Sequence, residues 1–413
     1  MRIIVVGAGE VGFEIAARLS RSNQDVVVIE QDQNLVNKME NALDVLVIQG
    51  NGASAKVLEA AGIKQTRLLI AVTGLDELNI MACMLAKRYG VEKTVARVRN
   101  PEYGAKNPVL ANETLGIDLV INPERVAASE IIKLIKTPAA TEVEYFAHGR
   151  VQILGFRVDV EAPIAGKKIK DLSLSSLIVA ITRNGEVIIP GGNDMILPND
   201  TLFVIGKTGS MSEIGFLVGK SSERIRRVMV VGGSIVGYNL VQMLQKYKAL
   251  GVTVKLIEQN KERCQQLAEE LPDVLVLHGS GTDLELLREE GIEETDAFIA
   301  VTGNDEVNIL SCLLAKHFRV RKVILEVGKS EYAPMVDTLG IDLAVHPRLI
   351  TATTILNLIK KQQVLSIAIL KEERVQALEV KVPPGSALFA KKNTGPCNGP
   401  REHWSAAFGA MGR

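Results

Sequence analysis

Two doubly wound α/β domains in one chain, each followed by a small α+β subdomain of which the second is incomplete, form the fold class that this sequence predicts. Three observations predict it. Short apolar runs alternate with helical patterns from residue 2 to residue 135, and again from 227 to 359. The stretch Ala71-Val72-Thr73-Gly74-Leu75-Asp76-Glu77-Leu78-Asn79-Ile80 recurs as Ala300-Val301-Thr302-Gly303-Asn304-Asp305-Glu306-Val307-Asn308-Ile309. A glycine turn, Gly7-Ala8-Gly9-Glu10-Val11-Gly12, recurs as Gly232-Gly233-Ser234-Ile235-Val236-Gly237.

In the first copy, buried strands are expected at 2–6, 26–29, 45–48, 68–72, 94–98 and 119–121. Helices are expected between them at 10–21, 33–41, 54–61, 78–89 and 103–114. Such alternation implies a parallel sheet covered on both faces, and right-handed crossovers make it a Rossmann-like unit. The second copy repeats the strands at 228–231, 252–257, 274–277, 297–301, 323–327 and 343–345. Leu115-Gly116-Ile117-Asp118-Leu119 matches Leu339-Gly340-Ile341-Asp342-Leu343 and fixes the register late in the unit. Each copy ends in an apolar helix, at 126–135 and 349–359.

A strand-rich segment, 141–214, follows the first copy, with turn signals at Asn184-Gly185, Pro190-Gly191-Gly192-Asn193 and Pro198-Asn199-Asp200. After the second copy Arg374-Val375-Gln376 repeats Arg150-Val151-Gln152, and the likeness stops near Gly385. The expected divisions are therefore 1–137, 138–220, 226–361 and 362–385. Residues 386–413 show no clear periodicity and are read as a divergent, disordered tail.

At 413 residues the chain is long enough for about two to four domains. Lys+Arg and Asp+Glu are equal at 48 each, so the overall field gives no reason to expect a nucleic-acid partner. No apolar run approaches the ~18–20 residues that span a bilayer, and the start of the chain does not resemble a signal peptide. Cys83, Cys264, Cys312 and Cys397 lie far apart without paired spacing, which fits a reducing cytoplasmic setting.

Gly7-x-Gly9-x-x-Gly12 follows an expected strand and opens an expected helix. Gly7 makes the tight turn, Gly9 lets backbone approach a pyrophosphate, and Gly12 lets helix and strand pack closely. Free N–H groups at the helix start attract anionic oxygens. Glu30 ends the second strand, where it would accept from both ribose hydroxyls and repel a 2′-phosphate, favouring NAD over NADP. Glu258 recurs in the matching place. Ser234 replaces the central glycine of the second turn, and its side chain is expected to narrow the approach to a diphosphate.

Thr73-Gly74 and Thr302-Gly303 should lie at the carboxyl edges of the sheets, where such folds bind ligands. Thr73-x-x-Asp76 also resembles a helix capping pattern, with Asp76 and Glu77 complementing the helix dipole. Arg97 and Arg99 end the fifth strand and could meet ligand phosphates or a neighbouring subunit. Their counterparts are Glu326 and Gly328, so the two sites differ in charge.

No catalytic or metal-binding constellation emerges. None of the five histidines recurs between the copies: His278 matches Gln49, His346 matches Asn122 and His317 matches Arg88. Cys83 and Cys312 recur within apolar helical patterns, as small core residues do. The residues therefore point to a nucleotide-binding sensor. The alternatives are an NAD-dependent oxidoreductase and a scaffold with vestigial turns.

Arg2-Ile-Ile-Val-Val-Gly-Ala-Gly-Glu-Val-Gly12, Gln49-Gly-Asn-Gly52, Ala71-Val-Thr-Gly74 and Ala96-Arg-Val-Arg99-Asn-Pro-Glu-Tyr103 together resemble the TrkA family. These are peripheral regulatory subunits of bacterial and archaeal Trk potassium uptake systems. The alternation of nucleotide unit and small subdomain, from residue 1 to about 385, is similar to their paired RCK modules, KTN plus TrkA-C. The resemblance implies a cytoplasmic protein peripherally associated with the inner face of the cell membrane. It implies NAD or NADH as cofactor, with ATP and ADP as alternative ligands at the same sites. It implies a homo-oligomer, a dimer of dimers or tetrameric ring, beneath a potassium-translocating subunit of the TrkH/TrkG type. A binding role then falls on Gly7, Ala8, Gly9, Glu10, Val11, Gly12, Glu30, Thr73, Gly74 and Arg97. In the second unit it falls on Gly232, Gly233, Ser234, Ile235, Val236, Glu258, Thr302 and Gly303. The chain departs from the family pattern beyond Gly385.

Overall fold

The computed structural model describes residues 2–100, 103, 115–209, 211–220, 223–329, 332, 336, 339–359, 364–370, 375–381 and 404–410. The first unit has strands β1 (Arg2–Val6), β2 (Asp25–Glu30), β3 (Leu46–Gln49), β4 (Thr66–Ala71), β5 (Lys93–Arg97) and β6 (Leu119–Ile121). They pair in parallel in the order β3-β2-β1-β4-β5-β6. The order reverses between β1 and β4, which places a ligand crevice above the carboxyl ends of those two strands. Its helices are α1 (Glu10–Arg21), α2 (Gln33–Ala42), α3 (Ala55–Ala60), α4 (Asp76–Arg88) and α5 (Pro123–Lys136). The unbroken run Ile3–Val6 is at most 1% exposed, as a central strand covered on both faces must be. Of the helix expected at 103–114, all but Tyr103 lies outside the described residues.

The small subdomain is an antiparallel sheet of β7 (Glu142–Phe146), β8 (Val151–Arg157), β9 (Leu177–Arg183), β10 (Glu186–Ile188) and β11 (Thr201–Lys207), in the order β10-β9-β11-β8-β7. A short helix, α6 (Ser212–Leu217), buries Ile214 against it.

The second unit repeats the first. Its strands β12 (Arg227–Val231), β13 (Thr253–Glu258), β14 (Leu275–His278), β15 (Ala297–Ala300), β16 (Lys322–Glu326) and β17 (Leu343–Val345) form a parallel sheet in the order β14-β13-β12-β15-β16-β17. Its helices are α7 (Ile235–Gln245), α8 (Lys261–Glu270), α9 (Leu284–Glu289), α10 (Asp305–His317) and α11 (Pro347–Ile359). Among the described residues, no helix is long and apolar enough to cross a membrane.

The two units exchange their last helices. Ala127, Ala128 and Ile131 of α5 join a core with Val228 and Val230 of the second sheet and Leu240 and Leu244 of α7. Reciprocally, Ala352, Ile355 and Leu356 of α11 join Ile3 and Val5 of the first sheet and Ile15 and Leu19 of α1. One face of each sheet is thus closed by its own helices (Leu58 and Cys83 in the first, Leu287 and Cys312 in the second). The opposite face is completed by a helix from the other unit. Arg18 Nη1 donates to Thr353 Oγ1 at 3.0 Å across the same junction.

The last part of the chain corrects one expectation. Residues β18 (Val364–Leu370), β19 (Val375–Lys381) and β20 (Trp404–Ala410) form an antiparallel sheet in the order β18-β19-β20. Residues 404–410 are therefore a paired strand and no part of a disordered tail. Their register, Trp404 opposite Lys381 through Ala410 opposite Val375, is set by a partner in another segment, which local periodicity does not reveal. The rest of 386–413 lies outside the described residues. Ala377 is buried among Phe146, Ile153 and Phe203, so this sheet rests on the small subdomain.

The exchange yields a prediction. Ile355 and Ile131 are both fully buried. Ile355→Ala and Ile131→Ala should each lower stability by about 2–5 kcal/mol. Urea melts followed by circular dichroism should show one shifted transition rather than a split one.

Candidate functional site

The first glycine turn joins β1 to α1. Gly7 N–H donates to Ile29 O at 2.8 Å. A Cβ on Gly12 would sit 1.9 Å from the Gly7 carbonyl oxygen, so any side chain there forces strand and helix apart. A Cβ on Gly9 would meet nothing within 4 Å. Gly9 is also the N-cap of α1 and gives no side-chain cap, so first-turn N–H groups are left for another acceptor. Glu30 lies beside this turn: one carboxylate oxygen accepts from Ala8 N at 2.6 Å, the other from Gln31 N at 2.6 Å and Asp32 N at 3.0 Å. The ribose-binding candidate therefore also braces the turn.

The second turn reproduces the backbone. A Cβ on Gly237 would lie 2.0 Å from Gly232 O, and Glu258 accepts from Gly233 N at 2.6 Å and Asn260 N at 2.7 Å. Ser234 behaves differently from expectation. Its Oγ donates to Val301 O at 2.6 Å and accepts from Gly237 N at 3.2 Å. The hydroxyl is folded into the turn as a helix cap, because two backbone partners there satisfy it better than the open cleft would. It occupies a first-turn amide of the kind left uncapped in the first copy. Arg263 Nε also donates to Gly233 O at 3.2 Å, adding a cation beside the second turn.

Each Thr-Gly turn is held by an asparagine that sequence reasoning left without a role. Asn79 is fully buried. Its Oδ1 accepts from Thr73 N at 2.9 Å and Thr73 Oγ1 at 2.7 Å, and its Nδ2 donates to Thr73 O at 3.1 Å and Arg97 O at 2.9 Å. Asn308 Oδ1 likewise accepts from Thr302 N and Thr302 Oγ1, and its Nδ2 donates to Glu326 O. The available signal was a polar residue repeated at one place in two otherwise apolar helix faces. The capping reading of Thr73 and Asp76 does not hold. Leu75 is the N-cap of α4, and Asp76 instead accepts from Arg99 N at 2.9 Å and Asn100 N at 2.8 Å. Asp305 repeats that bracket on Gly328 and Lys329.

At the end of β5, Arg97 is 9% exposed and its Nε has no hydrogen-bond partner. Glu124 Oε1 lies 3.7 Å from Arg97 Nη2 and 3.1 Å from Arg99 Nε. In the second unit the charges are inverted, with Glu326 in place of Arg97 and Arg348 in place of Glu124. Burial pushes the Glu326 carboxyl up to about 7, with Glu124 and Asp305 adding like-charge repulsion. Arg348 reaches across to the first unit and pairs with Glu10.

A cavity of about 1880 Å³ opens on the first turn. Gly7–Val11, Glu30, Thr73, Gly74 and Arg97 line it together, facing Arg348 and Leu349 of the second unit. Gly12 lies behind the wall, where it serves packing. None of Gly232, Gly233, Ser234, Ile235, Val236, Glu258, Thr302 or Gly303 lines this cavity. Burial pushes the Cys83 and Cys312 thiols far above their usual range, which makes them inert core groups. Among the described residues no cluster of metal-ligating side chains occurs.

Two Rossmann-like units with glycine turns, joined by exchanged helices, define a tandem nucleotide-binding type of architecture. The TrkA-N domain model matches residues 3–123 and 228–347, and the TrkA-C domain model matches 153–215. A Trk system potassium uptake protein trkA homolog 1 of Methanosarcina mazei is 39% identical over 95% of this chain and 97% of its own length. The Trk system potassium uptake protein TrkA of Halomonas elongata is 34% identical over 92% of this chain and 83% of its own. The chain belongs to the TrkA family of Trk potassium uptake proteins. Among solved structures, the GsuK channel bound to NAD covers 93% of this chain and 67% of its own, with a TM-score of 0.65 at 19% identity. The GsuK RCK domain has a TM-score of 0.64 at 20% identity, covering 93% of this chain and 81% of its own. Both share the fold.

The Glu326 environment gives a pH prediction. A carboxyl whose folded pKa lies above its unfolded value binds its proton more tightly in the folded state, so stability falls as pH rises from about 4.5 to about 7. Glu326→Gln should flatten that dependence. Its stability gain over wild type in urea melts should be larger at about pH 8 than at about pH 5.

Proposed function

We propose that the first unit binds NAD or NADH, with ATP and ADP as alternative occupants, and that occupancy regulates potassium uptake through a membrane partner. The observation that carries this reading is the open Gly9 position above an uncapped α1 terminus, with Glu30 beside it. The amides of Gly9, Glu10 and Val11 would take the diphosphate, with Gly7 and Ala8 shaping the approach. A ribose hydroxyl would donate to Glu30, sharing or replacing one of the three amides now bound there. The same carboxylate would repel a 2′-phosphate. Thr73 and Gly74 form the floor, and Arg97 supplies positive charge. The names of the relatives support a potassium uptake role, and solved structures of GsuK include one bound to NAD and one bound to ADP.

The proposed partner is a potassium-translocating subunit of the TrkH/TrkG type, with this chain assembled as a homo-oligomeric ring on the inner face of the membrane. Exposed apolar residues at matching places on α4 and α10, Met81 and Leu310, support self-association. A ligand in the first cavity lies against Arg348 and Leu349, so it favours whichever arrangement of the two units completes that wall. Regulation by this route requires a difference in ligand affinity between the two arrangements. The second turn, with Ser234 already capping α7, is a weaker site. The reading is a sensor rather than a catalyst. The shifted carboxyl of Glu326 is not among the residues that line the cavity.

A thermal-shift panel of NAD, NADH, ATP, ADP and NADP tests this. Wild type should be stabilised by NADH or an adenine nucleotide. Gly9→Ala should melt close to wild type without ligand, because its Cβ meets nothing, yet lose most of the ligand shift. Glu30→Ala should narrow the preference for NAD over NADP. A wild type that no nucleotide stabilises would sink the proposal.

A further inference from the structure

Away from the glycine turn, the same cavity continues into a cleft between the small subdomain and the amino-terminal edge of the second sheet. Five cations line this cleft: Arg157, Lys220, Lys316, Arg321 and Lys322. Three are neutralised. Lys220 pairs with Asp159 at 2.5 Å, Lys316 with Asp342 at 2.6 Å and Arg321 with Asp296 at 2.7 Å.

The other two are not. Lys322 is 5% exposed, and its Nζ donates only to the carbonyls of Ala140 at 2.7 Å and Pro138 at 3.2 Å. An ammonium has three N–H donors, so one is left over. Burial draws its pKa down to about 8, the mark of a cation without sufficient counter-charge. Arg157, in the same lining, has no partner for its guanidinium among the described residues. Two hydroxyls in the same wall are also unsatisfied: the Oγ1 atoms of Thr141 and Thr182 are buried without a hydrogen-bond partner, and Thr182 is 3% exposed. A buried hydroxyl without a partner destabilises the fold unless something satisfies it. Two cations without a carboxylate partner and two buried hydroxyls without a hydrogen-bond partner belong to residues lining one cavity, beside the Glu142 carboxylate, and a small oxyanion would satisfy all four once their side chains turn toward it.

We propose that this cleft binds a doubly charged oxyanion of the phosphate class, inorganic phosphate or a phosphomonoester, held by Arg157, Lys322, Thr141 and Thr182. Arg157 and Thr182 belong to the small subdomain and Lys322 to the second unit, so the anion bridges them. This gives the protein an input separate from the nucleotide cleft.

Calorimetric titration of the full chain with inorganic phosphate, and with a simple alkyl phosphate, tests the site. Chloride and malonate serve as controls, and each titration is run with and without NADH. One phosphate should bind per chain. Saturable binding of inorganic phosphate alone identifies the free ion as ligand, and tighter binding of the alkyl phosphate identifies an ester. Arg157→Ala, at an exposed position, should weaken binding about tenfold or more, and the near-isosteric Thr182→Val should weaken it several-fold. Lys170→Ala, outside the cleft, should leave it unchanged. The proposal is overturned if wild type shows no saturable binding, or if Arg157→Ala and Thr182→Val bind as wild type does. It is equally overturned if NADH displaces the phosphate, because the anion then sits at the glycine turn.

Discussion

The exchange of terminal helices is the constraint on which the rest of the structure depends. A parallel sheet must be covered on both faces. In this chain each sheet has its own helices on one face, while the other is completed by α5 or α11 from the opposite unit. Neither unit can close its core alone. The exchange also brings Arg348 and Leu349, which open α11, to the mouth of the first glycine turn. The second unit is thereby built into the wall of the first unit's cavity.

The exchange makes the assembly pseudo-symmetric, and the side chains break that symmetry where ligand chemistry matters. At the sheet edges, Arg97 with Glu124 in one unit becomes Glu326 with Arg348 in the other. In the turns, a glycine that leaves its helix uncapped becomes a serine that caps it. Capping stabilises α7 by about 0.5–2 kcal/mol and satisfies the Gly237 amide from within the turn. The first turn keeps its helix terminus available, and the second has given that up for local stability. What stays identical is the brace behind each site: Asn79 and Asn308 on the Thr-Gly turns, Asp76 and Asp305 on the chain after the fifth strand.

Much of this was legible in the sequence. Strand–helix alternation gave both sheets to within a residue or two, because buried parallel strands such as Ile3–Val6 are unbroken apolar runs. The glycine spacing located both turns, because the Gly12 and Gly237 positions admit no side chain. Other features depend on contacts that no local pattern encodes. The apolar stripe of α11 fits either sheet, so nothing in it says that it covers the other unit. Asp76 reads as a helix-capping residue until its carboxylate is seen to reach the chain just after β5. Ser234 reads as an obstruction until its rotamer is known. The strand at 404–410 has small residues and a distant partner, which leaves it almost without a periodic signature.

The central claim is that a nucleotide on the first turn is felt by the second unit through the exchanged helix. Amide hydrogen exchange with and without NADH tests it most directly, because it reads local opening along the whole chain. The account predicts new protection in two separate segments: the turn and helix around residues 7–21, and α11 at residues 347–359. Protection confined to the first segment, with α11 exchanging as in the free protein, would contradict it.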